Sequence, residues 1–202
     1  MLLKNRLAGN LRLDKNNCQE EDCLENYQKG EEISLQKLGL WQVYRGVVQL
    51  NRLDDSGKEI VIGWVTPNHA FGSLIDQNPS YRAIAMNDTY LRYYQKEDVA
   101  QDLQLARQLI SELSYRLVKS EQMVTITSLR KVEGRIRELL QMLKEEMGHP
   151  VNKGIRLTAR FTHQNIADAV CTTRVTVTRI MGDLQNKGLL EFDCDRHIIV
   201  KF

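Results

Sequence analysis

Between about Asp98 and Met147 the chain has no proline and a single glycine, Gly134. A run that long without a breaker is committed to helix. Within it Ile110, Leu113, Leu117 and Val124, with Ser120 and Thr127, fall at alternating steps of three and four, the pattern of a coiled-coil-like seam. A helix packed only on its own domain could carry the same stripe. Length argues against that, because roughly 20 residues of helix reach about 30 Å and overshoot a small barrel. The stripe predicts a helix from about Gln108 to Leu129 that pairs with a second copy of itself. A second amphipathic helix, with Ile136, Leu139, Leu140 and Leu143 on one face, is expected to end at Gly148-His149-Pro150 and to give way to a loop.

Upstream the pattern is different. From Ile33 to Tyr94 short β-rich runs alternate with turn residues. Leu40-Trp41-Gln42-Val43-Tyr44 leads through Arg45-Gly46 into Val47-Val48-Gln49-Leu50. Asp54-Asp55-Ser56-Gly57 signals a hairpin before Ile60-Val61-Ile62-Gly63-Trp64-Val65, and Thr66-Pro67-Asn68 and Gln77-Asn78-Pro79 mark further turns. Strands at this spacing predict a sandwich or jelly-roll barrel. The first 25 residues or so, polar with Leu7, Leu11 and Leu13 scattered through them, predict an irregular or partly helical lead-in.

With 42% hydrophobic and 27% charged residues the chain can build real cores, which excludes disordered and collagen-like classes. No stretch approaches the roughly 18 apolar residues of a membrane span, and the apolar start Met1-Leu2-Leu3 stops at Lys4. The expectation is a soluble cytoplasmic protein without a membrane partner. Charge is distributed unevenly. Up to Arg130 there are 16 basic and 17 acidic residues; from Lys131 onward there are 12 and 9. A mildly acidic front and a mildly basic back suit a sensor joined to a DNA binder. Cys18, Cys23, Cys171 and Cys194 form no CxxC pair and no compact zinc spacing, so free thiols are expected.

The most informative stretch runs from Phe161 to Glu191. Thr162 can cap a helix extending through Ala167 to Val170, and Thr172 or Thr173 can cap another through Asn186. Only two or three residues separate them, the connection of a helix-turn-helix. In the second helix Val177, Ile180, Met181 and Leu184 share one face and must pack inward. Arg174, Val175, Thr178 and Arg179 share the opposite face near the N-terminus, where a recognition helix meets base edges. An arginine fork matches guanine O6 and N7, and a valine suits a thymine methyl. A plain helical hairpin with two solvated arginines would fit the helix pair alone. The apolar runs Gly188-Leu189-Leu190-Glu191-Phe192 and Ile198-Ile199-Val200-Lys201-Phe202, around a polar Asp193-Cys194-Asp195-Arg196 turn, add a hairpin that reads as a wing.

Arg174-Val175-Thr176-Val177-Thr178-Arg179, with Thr162-His163-Gln164 leading the first helix, strongly resembles the winged helix of the CRP/FNR superfamily, and most of all its NtcA-like nitrogen-control branch. Tyr44-Arg45-Gly46-Val47-Val48, Phe71-Gly72 and Leu113-Ser114-Tyr115-Arg116 extend the likeness over most of the chain. The resemblance implies an α+β chain: an N-terminal double-stranded β-helix (jelly-roll) sensor over 1–97, a dimerisation helix region over 98–130, and a winged helix-turn-helix over 131–202. It implies base reading by Arg174, Val175 and Arg179, with Thr162, Thr173, Thr176 and Thr178 near phosphate and His163 and Gln164 beside them. The partners implied are a palindromic double-stranded operator with GTA and TAC half-sites, a second copy of the chain, and RNA polymerase. Cys171 stands where the family's inter-helix turn has glycine, so modest strain is expected there.

The family's cyclic-nucleotide pocket uses Gly-Glu for the ribose and Arg-Ser/Thr-Ala for the phosphate. This chain has Gly72-Ser73 and Arg82-Ala83-Ile84, so the ribose carboxylate is missing and cAMP is disfavoured. The NtcA-like branch implies 2-oxoglutarate instead, on Phe71, Gly72, Ser73, Leu74, Arg82, Arg116 and Glu121. Backbone amides and guanidinium forks are good carboxylate receptors. An ion pair on a long helix is the plain alternative for Arg116 and Glu121. A regulator with a closed, ligand-free pocket is the second hypothesis. Two thiolates at Cys18 and Cys23 cannot hold an iron–sulfur cluster, and His69 is a lone haem candidate in a turn. A cupin-like metal enzyme would need several barrel histidines, and His69 is the only histidine before His149. The chain reads as a regulator and not an enzyme.

Overall fold

The computed structural model describes residues 24–55, 57, 59–75 and 81–202. The lead-in, with Cys18 and Cys23, and the Gln77-Asn78-Pro79 turn lie outside the described residues. Eight strands open the described chain: β1 Leu24–Tyr27, β2 Glu32–Ile33, β3 Gly39–Arg45, β4 Val48–Leu53, β5 Glu59–Val65, β6 Ala70–Ser73, β7 Tyr81–Ala85 and β8 Thr89–Gln95. They form two antiparallel four-stranded sheets, ordered β1-β8-β3-β6 and β2-β7-β4-β5. The alternating residues Trp41, Val43, Val48, Leu50, Phe71, Ala83 and Leu91 fill the space between them. Gly57 N donates to Asp54 O at 2.9 Å, closing the expected β4–β5 turn. This is the jelly roll that the strand spacing predicts.

The helical region is divided at Asp102. Helix α1 spans Lys96–Gln101, and Asp102 then caps α2, Leu103–Ser128, by accepting from the amides of Gln104 and Leu105. The long helix thus begins five residues earlier than expected. Its stripe also differs. Leu113 is half-buried against Leu40, Ala70, Val99 and Leu109, and so packs on its own barrel. The outward stripe is Leu103, Ile110, Leu117 and Val124, spaced by seven and 60–66% exposed. An unpartnered apolar heptad stripe is what a paired helix presents. Among the described residues no helix is long and apolar enough to cross a membrane.

Helix α3, Val132–Met147, buries Ile136, Leu139, Leu140 and Leu143 as predicted. The loop expected after it is instead a hairpin, β9 Gly148–Val151 and β10 Gly154–Leu157. Helices α4 His163–Ala169 and α5 Arg174–Asn186 follow, then β11 Leu190–Phe192 and β12 Ile198–Val200. The last four strands form one sheet, β11-β12-β10-β9. Pro150 is tolerated because β9 is the edge strand, where a missing N–H breaks no central ladder.

The winged half docks on the barrel. Val47, Val61, Trp64 and Met86 belong to the same buried cluster as Ile166, Val177, Ile180 and Leu184. Trp64 and Phe161 meet edge to face, with ring centroids 5.3 Å apart.

Candidate nucleic-acid interface and effector cavity

Helix α4 starts with a capping box. Thr162 Oγ1 accepts from Asn165 N at 3.1 Å, and Asn165 Oδ1 accepts from Thr162 N at 2.9 Å. Thr173, rather than Thr172, caps α5 by accepting from Thr176 N at 3.2 Å. Between the helices Cys171 adopts φ 52°, the left-handed conformation for which glycine is suited. Val177, Ile180, Met181 and Leu184 are buried, which fixes the rotation of α5.

That rotation exposes Arg174, Val175 and Arg179 together. Val175 is 79% exposed, an apolar residue presented almost wholly to solvent. Arg179 forms only a 3.5 Å, solvent-exposed pair with Asp183 one turn on. Thr178 is tied inward, its hydroxyl donating to Arg174 O at 2.9 Å and lying 2.8 Å from His163 Nδ1. Because that hydroxyl has one proton, His163 Nδ1 is the donor in the second contact. Burial and the neighbouring Arg174 charge hold His163 below the ordinary histidine range, so it is neutral at neutral pH. Gln164 Nε2 donates to Asp168 Oδ1 at 2.8 Å.

An open cleft of about 910 Å³ runs beside the recognition helix. Thr162, His163, Gln164 and Arg174 line it, joined by Lys29, Arg160 and Arg196, none of which the sequence pattern singles out. No carboxylate lines it among the described residues. Arg160 lies two residues before the Thr162 cap, and Arg196 sits in the wing turn at φ 65°. A basic residue just before a capped helix start would have been the signal for Arg160, and a basic residue in the wing turn the signal for Arg196.

The second candidate site is a cavity of about 200 Å³ lined by Leu35, Lys37, Gly39, Gly72, Ser73, Tyr81 and Arg116. Gly72 has φ 113°, and a Cβ there would lie 2.5 Å from Gly39 O, so this wall has to be bare backbone. Of the expected effector residues, the structure brings Gly72, Ser73 and Arg116 together. Phe71 is fully buried in the barrel core behind them, and Leu74 packs on the cluster containing Leu40, Ala70, Val99 and Leu109. Arg82 and Glu121 do not line this cavity. Strand alternation turns Tyr81 inward and Arg82 outward, where its guanidinium sits 3.2 Å from Glu59 Oε1 and 3.5 Å from Glu32 Oε1. Glu121 is exposed, because five residues past Arg116 is more than a third of a turn around the helix. Leu35, Lys37, Gly39 and Tyr81 are the lining residues that sequence reasoning missed, and Lys37 and Tyr81 are the polar side chains among them.

Beyond the cavity Arg116 also borders a crevice with Trp64, Lys119 and Glu146. It therefore stands between the barrel interior and the joint of α2 with α3.

Comparison with known proteins agrees with this layout. The model of the Crp-like helix-turn-helix domain matches residues 134–201. A global nitrogen regulator of Nostoc sp. is 34% identical over 155 residues, spanning 72% of this chain and 70% of the relative. The global nitrogen regulator of Synechococcus elongatus is 31% identical over 180 residues, spanning 83% and 81%. Among solved structures, a CRP-family transcriptional regulator of Thermus thermophilus superposes with TM-score 0.75 at 22% identity, covering 88% of this chain and 92% of that one. FixK2 of Bradyrhizobium japonicum gives TM-score 0.74 at 22% identity, covering 89% and 92%. The jelly roll, the long helix and the winged helix-turn-helix are one inherited layout, and the chain belongs to the CRP/FNR family of transcription regulators, in the branch of the global nitrogen regulators.

Proposed function

We propose that two copies of the chain bind a palindromic operator, that Arg174, Val175 and Arg179 read its bases, and that 2-oxoglutarate binding in the barrel raises that affinity. The observation that carries the DNA reading is the outward trio on a helix whose opposite face is fully buried. The outward stripe Leu103, Ile110, Leu117 and Val124 supplies the two-fold pairing. Two-fold symmetry then asks for half-sites about 34 Å apart, one turn of the duplex. Lys29, Arg160 and Arg196 extend a carboxylate-free cleft from the helix, which suits the phosphate backbone. Bound at a promoter, the dimer would recruit or block RNA polymerase.

For the effector, the support is Arg116 lining a cavity of about 200 Å³ with room for a five-carbon diacid. Its position beside Lys119 and Glu146 offers a route from ligand to α3. The test is fluorescence anisotropy on a duplex carrying GTA and TAC half-sites, with and without millimolar 2-oxoglutarate. Operator affinity should rise by about 5–150-fold, the usual range for allosteric pairs. The duplex should tighten 2-oxoglutarate binding by the same factor. Unchanged operator affinity would reject the effector and keep the DNA reading. No preference for the palindrome over random DNA would reject the DNA reading itself.

A further inference from the structure

The floor of the barrel cavity holds two buried polar atoms that are not fully satisfied: Tyr81 Oη, whose proton meets no acceptor because the neighbouring Arg116 offers only donors, and Arg116 Nη1. Orphaned buried donors are rare and unfavourable, so their pairing in one cavity needs a reason. The Arg116 guanidinium carbon lies 5.9 Å from the Tyr81 ring centroid, so the two face the same small space. Burial pushes the Tyr81 phenol above its ordinary value, opposed by the Arg116 charge and by a hydrogen bond from Arg116, and the phenol stays protonated at neutral pH. The floor thus presents a charged fork beside a neutral donor. At the rim stands Lys37, an exposed and flexible cation. Among the described residues no carboxylate lines the cavity to compete for either charge.

These features call for a ligand with three parts. It has a carboxylate for the fork, an uncharged acceptor next to that carboxylate for the phenol, and a second anion at the far end for the lysine. We propose that Tyr81 and Lys37 are the specificity residues of this site, selecting a 2-oxo diacid bound end-on. Its 2-oxo acid end lies on Arg116 and Tyr81, and its distal carboxylate reaches Lys37. The inference rests on the effector reading above and adds the orientation and the selection rule. The phenol donates to the keto oxygen. The ammonium, being solvent-exposed, attracts the distal carboxylate weakly and in a salt-dependent way.

Calorimetry with three probes tests it on the full chain: 2-oxoglutarate, glutarate, which lacks the keto oxygen, and 2-oxopentanoate, which lacks the distal carboxylate. The wild type should bind 2-oxoglutarate tightest. Tyr81→Phe should weaken 2-oxoglutarate by about three- to tenfold, the worth of one neutral hydrogen bond, and leave glutarate unchanged. Lys37→Gln should weaken 2-oxoglutarate by about two- to fivefold at low salt, less at high salt, and leave 2-oxopentanoate unchanged. Without ligand, Tyr81→Phe should melt close to or above the wild-type temperature, because it removes a buried hydroxyl whose proton has no acceptor. A Tyr81→Phe protein that melts lower and loses all three probes alike would make Tyr81 a structural residue and overturn the proposal. Wild-type affinity in both variants would overturn it while leaving the effector reading intact. A wild type that binds none of the probes would defeat both together.

Discussion

Lys119 Nζ of the long helix stands 2.7 Å from Glu146 Oε1 of α3. Tyr115 Oη donates to the same oxygen at 2.6 Å, and its ring stacks on His69 of the barrel at 4.3 Å between centroids. Barrel, long helix and winged half are therefore held at one carboxylate. Arg116 sits in the same helical turn as Tyr115 and Lys119, so a ligand that moved it would act directly on this joint.

Removing that carboxylate should loosen the joint. Glu146→Ala should cost about 1–3 kcal/mol at neutral pH, because it strands a partly buried ammonium and a phenol. Lys119 is pushed down by burial but raised more by Glu146, Tyr115 and Glu145 together, and ends above its ordinary value. Tyr115 is raised by burial first and by the Glu146 hydrogen bond next. Both groups hold their protons more tightly folded than unfolded. Their contribution is complete below the ordinary lysine and tyrosine ranges and is lost as pH rises through the folded values. Melting temperatures from about pH 8 to 11 should fall more steeply for the wild type than for Glu146→Ala. Parallel curves would remove Glu146 from this role.

Arg179→Ala tests base reading. Its exposed pair with Asp183 contributes little to the fold, so the melting temperature should hold. Operator affinity should drop by about 1–3 kcal/mol and discrimination should relax at one base pair per half-site. Equal losses on operator and random DNA would assign Arg179 to phosphate instead.

Leu117→Glu places a charge in the middle of the outward stripe. If α2 pairs with its copy there, desolvating that carboxylate is unfavourable and light scattering should report a monomer. The variant should also lose affinity for the full palindrome. A dimer that persists would place the interface elsewhere.

Cys171 is strained by its left-handed backbone. Cys171→Gly should raise stability by about 0.5–1 kcal/mol, the αL penalty less the entropy glycine adds to the unfolded chain. Cys171→Val, β-branched at the same φ, should lower it. Thermal melts of the two variants on opposite sides of the wild type are the expected result.

What the sequence made legible was local. Thr162 and Thr173 announce their helices because a cap needs only the next three residues. The α5 faces follow from a 3.6-residue period that the structure obeys. What it hid depends on partners distant in sequence. Pro150 argues against a strand until β10 and β12 show that β9 is an edge. Leu113 fits a seam by spacing, yet α2 lies close enough to the barrel to bury it. Arg82 opens a run that is similar to the family's phosphate run, but the two-residue period of β7 gives the inward place to Tyr81. That period was readable. The ladder Trp64, Gln49, Asn51, Glu59 and Arg82 on the outer face, linked by hydrogen bonds of 2.7–3.3 Å, was not.

The shared core between barrel and winged half is apolar: Val47, Val61, Trp64 and Met86 against Phe161 and its neighbours. Apolar contact near room temperature is favoured by entropy, and it weakens as water cools. Docking should therefore fade in the cold before either half loses its own fold. The fraction of molecules with the recognition helix held in place would then drift with temperature. Operator binding by such a chain would then carry a thermal coefficient that comes from the apolar joint itself.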